Sequence, residues 1–281
     1  MLTTTNHNRD SVGLTYIYPV ISRRSGGLSI GVNLNPNNAC NWRCIYCQVP
    51  NLQRGSAPKT DLNLLEIEMR RFLDHLLTGD FYRRFEVPKE QQIIRDIALS
   101  GNGEPTSSAE FDRVIGLLGA VVADYELLGK IKLVIITNGS LIRREAVQKG
   151  LAHWGELGGE VWFKLDSATV EGIQAINGIH LTPDAVLRNL EVCSRLCTTW
   201  LQTCCFGVDG QPPSPQEQAA YLEFLGTAQN QGLPLAGVLL YGLARPSMQA
   251  EAPRLSTLPA EWMEAFAVKI RQLGMATRLS L

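Results

Sequence analysis

Three cysteines fall within eight residues, Cys40-Asn-Trp-Arg-Cys44-Ile-Tyr-Cys47. Three soft thiolates in one short loop suit the closing of an iron–sulfur cube. A cube has four corners, so three ligands leave one iron open. An open position is what lets a metal centre bind a substrate or cofactor directly, as catalytic zinc does. Two blander readings of the same residues are a zinc knuckle with a distant fourth ligand and three reduced cysteines packed together. His7, His75, His153 and His180 offer no zinc spacing of their own and read as surface or capping residues. Trp42 and Ile45 favour shielding of a cluster.

Cys193, Cys197, Cys204 and Cys205 form a looser group, and an odd total of 7 argues against a complete disulfide set. Cys193 and Cys197 share a face of a predicted helix. Cys204 and Cys205 are adjacent on a predicted strand and point to opposite sides. They do not make one ligand set, and no later cysteine completes a second cluster. Gln202 and Cys204 share a strand face; burial of Cys204 as a small hydrophobe is one reading, and donation of the hydrogen atom of its S–H group is another.

The elements that must position these groups alternate between strand and helix periods. Strands are predicted over 29–34, 94–100, 131–137, 160–166, 200–206 and 235–241, with a further one over 276–281. Helices are predicted over 61–79 with Asp61 as N-cap, then 108–128, 141–154, 183–196, 215–231 and 259–273. About six βα units imply a parallel sheet, open or curled. Asn33 and Asn35 share one face of the first strand, as Lys164 and Asp166 do on the fourth, which implies a polar lumen and hence a partial (β/α)6 barrel. The chain reads as one domain: an extension over 1–27, a core barrel over 28–245, and a C-terminal helix with a possible last strand over 246–281.

The spacing C-x3-C-x2-C, with an aromatic residue before the last cysteine, resembles the signature of radical S-adenosylmethionine (radical SAM) enzymes, over roughly Leu28 to Arg245. The resemblance implies a [4Fe-4S] cluster on Cys40, Cys44 and Cys47, with S-adenosylmethionine (SAM) chelating the fourth iron. Reductive cleavage of SAM would then yield a 5′-deoxyadenosyl radical that abstracts hydrogen from a substrate. Gly101-Asn-Gly103-Glu104-Pro105 looks like the family's Gly-Gly-Glu-Pro segment, with Asn102 as a departure; this implies contacts to the methionyl amino group from Gly101, Gly103 and Glu104. Tyr46 is expected near the adenine. Asn138, Lys164, Asp166 and Ser167 resemble carboxylate and ribose contacts, with Asp166 able to accept ribose hydroxyls; Lys164 neutralises a carboxylate or simply pairs with Asp166. The segment Gly237 to Gly242 resembles the family's adenine cradle, and Arg245 is a candidate for an anionic group.

The composition limits what else this chain does. It has 281 residues, a net charge of −1 and 45% hydrophobic residues, which fits a globular protein and gives no sign of wholesale electrostatic binding to nucleic acid. The longest apolar stretch, Val114 to Ala123, is far short of the roughly 20 residues a membrane-spanning helix needs, and residues 1–27 lack a secretory core. The cytoplasm is the expected compartment. Arg23, Arg24, Arg43, Arg54 and Lys59 make the cluster end basic, with no acid between Ser11 and Thr60. Such a patch suits an acidic electron donor such as flavodoxin or ferredoxin, an anionic small molecule, or RNA phosphates. The expected substrate is a small metabolite; RNA or nucleotide bases, a peptide or protein, and a non-catalytic electron-transfer or sensor module are the alternatives.

Overall fold

The computed structural model describes residues 12–22 and 26–281; His7, Arg23 and Arg24 lie outside them. An eight-stranded sheet runs β1 Ile17–Ser22, β2 Gly27–Val32, β3 Ile94–Leu99, β4 Lys132–Thr137, β5 Glu160–Lys164, β6 Thr198–Cys205, β7 Leu235–Gly242 and β8 Thr277–Ser280, in spatial order identical to chain order. β2 through β8 are parallel, and β1 pairs antiparallel with β2. Helices α1 Leu62–Leu77, α2 Asp80–Arg84, α3 Phe111–Asp124, α4 Glu145–Glu156, α5 Val170–Asn177, α6 Pro183–Leu196, α7 Pro215–Asn230 and α8 Ala260–Gln272 supply the crossovers. β1 and β8 do not pair, so this is a partial barrel with six crossovers between parallel strands.

Side chains alternate across each strand and separate core from lumen. On β3, Ile97 and Leu99 are fully buried against the helices, while Asp96 and Ala98 line the lumen cavity. Val161 and Phe163 on β5 pack outward, whereas Trp162 and Lys164 face in. α1 shows the complementary helical pattern: Leu65, Met69, Phe72, Leu73 and Leu76 are buried, and Asp61 caps its first turn by accepting from Leu64 N at 3.0 Å.

Three departures from the sequence expectation have local causes. The segment assigned to an extension contributes β1, and Glu68 of α1 fastens its approach by accepting from the N–H groups of Thr15 and Tyr16, each at 2.8 Å. α3 and α4 start three or four residues later than expected because polar side chains organise the preceding turns: Ser108 Oγ accepts from Glu110 N, and Asn138 Oδ1 accepts from Ser140 N. α5 was not expected at all. Its signals are present, an N-cap Thr169 accepting from Gly172 N at 2.9 Å and a left-handed Gly178 after Asn177.

β1 closes one side of the lumen by laying Tyr18 flat over Gly31, its strand partner. A Cβ at Gly31 would stand 2.1 Å from the ring, and the Tyr18 hydroxyl lies 2.9 Å from Ser100 Oγ, just past the end of β3. Gly31→Ala is expected to cost about 1–3 kcal/mol through overpacking, read as a lowered denaturant midpoint. In a Tyr18→Ala background the same substitution should cost almost nothing; an equal penalty in both backgrounds would overturn the contact's role.

Candidate functional site

Between β2 and α1 the chain is irregular apart from a short parallel bridge of Ala39–Cys40 with Gln53–Arg54. Its buried peptide groups still need partners. Asn35 Nδ2 donates to Ala39 O at 2.9 Å, and Asn33 Oδ1 accepts from the N–H groups of Asn35 and Asn102. The C-terminus of α5 takes Arg43 N and Ile45 N on the carbonyls of Asn177 and Ile176 at 3.0 and 2.9 Å. After β7, Ser247 Oγ donates to Ile45 O at 2.7 Å and Gln249 Nε2 to Val49 O at 2.9 Å. These anchors turn Cys40, Cys44 and Cys47 into one cavity of about 370 Å³ at the carboxyl ends of the strands.

Burial pushes the Cys40 thiol up to about 11 and the Cys44 thiol up to about 12. Such thiols ionise at neutral pH only when a metal cation takes the proton's place. Among the described residues no group of three His, Cys, Asp or Glu side chains is placed to hold a single metal ion. The three thiols line one cavity, as ligands to separate irons of a cluster would. Trp42, only 5% exposed, and the buried Ile45 and Tyr46 screen the loop from water. The donor set and its surroundings fit an iron–sulfur cluster.

Gly101, Gly103, Glu104, Asn138 and Lys164 line the same cavity. The two glycines are required by close packing: a Cβ on Gly101 would stand 2.3 Å from Asn33 Oδ1, and one on Gly103 would stand 2.0 Å from Ala39 O. Glu104 is buried and accepts four hydrogen bonds, from Thr106 N, Thr106 Oγ1, Thr137 Oγ1 and Asn138 N. Burial still raises its carboxyl above the ordinary glutamate value, against the donors that favour its charged form. Asn138 Nδ2 donates to Asn41 Oδ1 at 2.9 Å, tying the third expected strand end to the cysteine loop.

Lys164 Nζ stands 3.9 Å from Asp166 Oδ2 and 4.9 Å from the centre of the Tyr46 ring. Burial pulls its pKa down, but Asp166, with Tyr241, Cys44 and Cys204 around it, holds the ammonium well above the ordinary lysine value. Asp166 itself is fully enclosed behind the cavity wall. Its Oδ2 accepts from Tyr46 Oη at 2.6 Å and Asn177 Nδ2 at 2.8 Å, and its Oδ1 from Cys204 N at 3.1 Å. Ser167 is also turned away from the lumen and donates to Glu217 at 2.7 Å. The structure therefore brings the cysteines, Tyr46, the glycine segment, Asn138 and Lys164 together, and sets Asp166 and Ser167 behind them as braces.

Cys204, Gln202 and Arg245 also line the cavity. Burial holds the Cys204 thiol well above its ordinary value. Of the adenine-cradle segment, Tyr241 reaches the cavity, while Gly237 packs at the far end of β7 with its Cβ position 2.2 Å from Ala276 O. Cys193, Cys197 and Cys205 are buried in the helix-side core. The basic rim is weaker than its sequence suggests: Arg43 pairs with Glu251 at 2.8 Å, and Arg54 donates to the carbonyls of Asn41 and Gly178. The sequence reading missed Asn177, Trp162, Asp96 and Ser247; only the polar alternation of the strands pointed toward Asp96.

A model of the radical SAM superfamily matches residues 34–225. Among curated proteins, the chain is 30% identical over 177 residues to UPF0026 protein MJ1312 of Methanocaldococcus jannaschii, covering 61% of this chain and 47% of that one. It is also 30% identical over 135 residues to a protein named GTPase Obg of Brachyspira hyodysenteriae, covering 47% of this chain and 17% of that one. The matches span about half or less of those relatives' lengths. Among solved structures, TYW1 with a lysine-pyruvate adduct bound superposes with a TM-score of 0.58 at 14% identity, covering 97% of this chain and 79% of that one. Streptococcus suis SuiB bound to S-adenosylmethionine gives 0.55 at 12% identity, covering 91% and 47%. At these identities the likeness is one of fold. Resting on the family match over 34–225, the chain belongs to the radical SAM superfamily: it is an enzyme of that class, with a [4Fe-4S] cluster and S-adenosylmethionine as its cofactors.

Proposed function

We propose that Cys40, Cys44 and Cys47 hold the cluster and that the enzyme abstracts a hydrogen atom from a small metabolite bound in the lumen. The observation that carries this reading is the convergence of three partly buried thiols and the strand-end groups Gly101, Gly103, Glu104, Asn138 and Lys164 on one cavity. The bound cofactors supply the hard chemistry, reductive cleavage of SAM to a 5′-deoxyadenosyl radical. The chain's own residues bind, orient and exclude water. Gly101 and Gly103 offer backbone, and Glu104 a carboxylate, to the methionyl ammonium. Lys164, kept protonated beside Asp166, would hold the methionyl carboxylate, and Tyr46 would contact the adenosine. Asp166 acts by position, because Tyr46, Asn177 and Cys204 already occupy its oxygens.

The lumen beyond these groups is lined by Tyr18, Ser29, Asp96, Ser100, Trp162 and Gln202, a small mixed surface suited to a compact polar molecule. The ion pair of Arg43 with Glu251 neutralises one cation that RNA phosphates would need, which favours the metabolite over the nucleic-acid reading. A carrier of electrons alone has no use for groups that fit an amino-acid cofactor. Reduction of the cluster calls for a donor such as flavodoxin or ferredoxin. All seven cysteines are free thiols, in keeping with a reducing cytoplasm, and no helix among the described residues is long and apolar enough to cross a membrane.

Cys44→Ala is expected to abolish both the brown cluster absorbance and 5′-deoxyadenosine formation while leaving the far-ultraviolet circular dichroism unchanged; turnover in that variant would refute the ligand assignment. Anaerobic reconstitution of the wild type should give about four irons per chain, with the same content in a Cys193→Ala/Cys205→Ala double variant, since neither sulfur faces the cavity. Lys164→Met should weaken SAM binding by about 10–100-fold, the worth of one charged hydrogen bond. Calorimetric titration checks it, and an unchanged Kd would remove Lys164 from the SAM site.

A further inference from the structure

Asn177 lies on α5, the helix that joins the cysteine loop to the wall behind the cavity, and it is 1% exposed. Its side-chain amide has two hydrogens and two acceptors: Nδ2 stands 2.8 Å from Asp166 Oδ2 and 3.3 Å from Cys44 Sγ. The direction of the amide is not free. Asp166 is itself fixed by Tyr46 Oη and Cys204 N, and the Asn177 carbonyl receives Arg43 N at 3.0 Å. Gly178, left-handed at φ 66°, lets the chain turn away directly beneath the loop, where a Cβ would stand 2.9 Å from Arg43 O. An amide N–H is thus aimed at one sulfur and held there by a carboxylate that cannot turn.

Hydrogen bonds to cysteine sulfurs are among the factors that set an iron–sulfur cluster's reduction potential. They stabilise the more electron-rich, reduced state, because a donor is attracted more strongly as negative charge on the sulfur grows. We propose that Asn177 is a positioning residue that, oriented by Asp166, raises the potential of the cluster through its hydrogen bond to Cys44. The inference rests on the assignment of Cys44 as a cluster ligand. Cys40 Sγ receives backbone donors, from Trp42 N at 3.4 Å and from Glu104, whereas Cys44 Sγ receives the side-chain amide of Asn177. The contribution of Asn177 falls on the Cys44 corner.

The test is a redox titration of the reconstituted full chain without SAM, followed by electron paramagnetic resonance. In Asn177→Leu, which keeps the branched shape and removes both donors, the ratio of reduced to oxidised cluster at the wild-type midpoint should fall by up to about tenfold, equivalent to about 59 mV for one electron. A purely structural role would lower iron content or stability and leave the midpoint of the assembled fraction unmoved, so an unmoved midpoint overturns the proposal. A second measurement needs no variant to fold: reduced wild-type protein labelled with nitrogen-15 asparagine should show hyperfine coupling from an amide nitrogen near the cluster. Absence of that coupling overturns the proposal, as does its full persistence in Asn177→Leu. A wild-type chain that takes up no iron would instead bring down the ligand assignment itself, and this inference with it.

Discussion

An irregular loop carrying three thiols cannot be buried unless its peptide groups find partners, and this requirement organises the mouth of the barrel. Each unpaired buried N–H or C=O costs about 1–3 kcal/mol. The partners come from Asn33, Asn35, Ser247 and Gln249, and from the last carbonyls of α5. Asparagine suits the task because its side chain donates and accepts in the manner of a peptide. Asn138 extends the same logic from the end of β4, reaching Asn41 in the loop. The loop is thus a shaped surface held from four directions, and the cysteines inherit their positions from it.

The strands divide the remaining work by the period of the β-strand. Residues such as Ile97, Leu99, Val161 and Phe163 seal the sheet to its helices, and the residues between them are released from core duty. That release allows Asp96, Trp162, Lys164 and Gln202 to face one interior without loss of a hydrophobic core. The glycines of the Gly101–Pro105 segment serve the mouth in another way. They bring that segment into contact with Asn33 and Ala39, so its backbone comes level with the cysteine loop.

The parallel strands, most helices and the cysteine loop were legible in the sequence because each carries a local signature: period-two alternation, an N-cap with a helical stripe, or a cysteine spacing. The register of α6 over Pro183–Leu196 was read directly, since Thr182 caps it and Pro183 begins it. β1 and α5 escaped notice for different reasons. β1 is held by pairing to β2 and by Glu68, distant in sequence, and α5 is short, so its cap and stop signals read as loop. The partners of Asp166 and Ser167 are tertiary in the same way as those of β1. Strand position placed them near the lumen, but only the partners Asn177, Cys204 and Glu217 decide which way their oxygens face.

Asp166 is the point at which these parts meet. A buried carboxylate is costly unless charge and hydrogen bonds compensate it, and here Lys164 provides the charge while Tyr46, Asn177 and Cys204 N provide the donors. Each partner belongs to a different component: Lys164 to β5, Tyr46 to the cysteine loop, Asn177 to α5 and Cys204 to β6. Burial and the Asp166 carboxylate keep the Tyr46 phenol protonated, so its hydroxyl donates at all working pH values. Movement of any one partner would leave the carboxylate under-satisfied, and the others resist it. Rigidity at the mouth follows from that shared anion, and rigidity is what an enzyme handling a reactive radical requires of the walls around it.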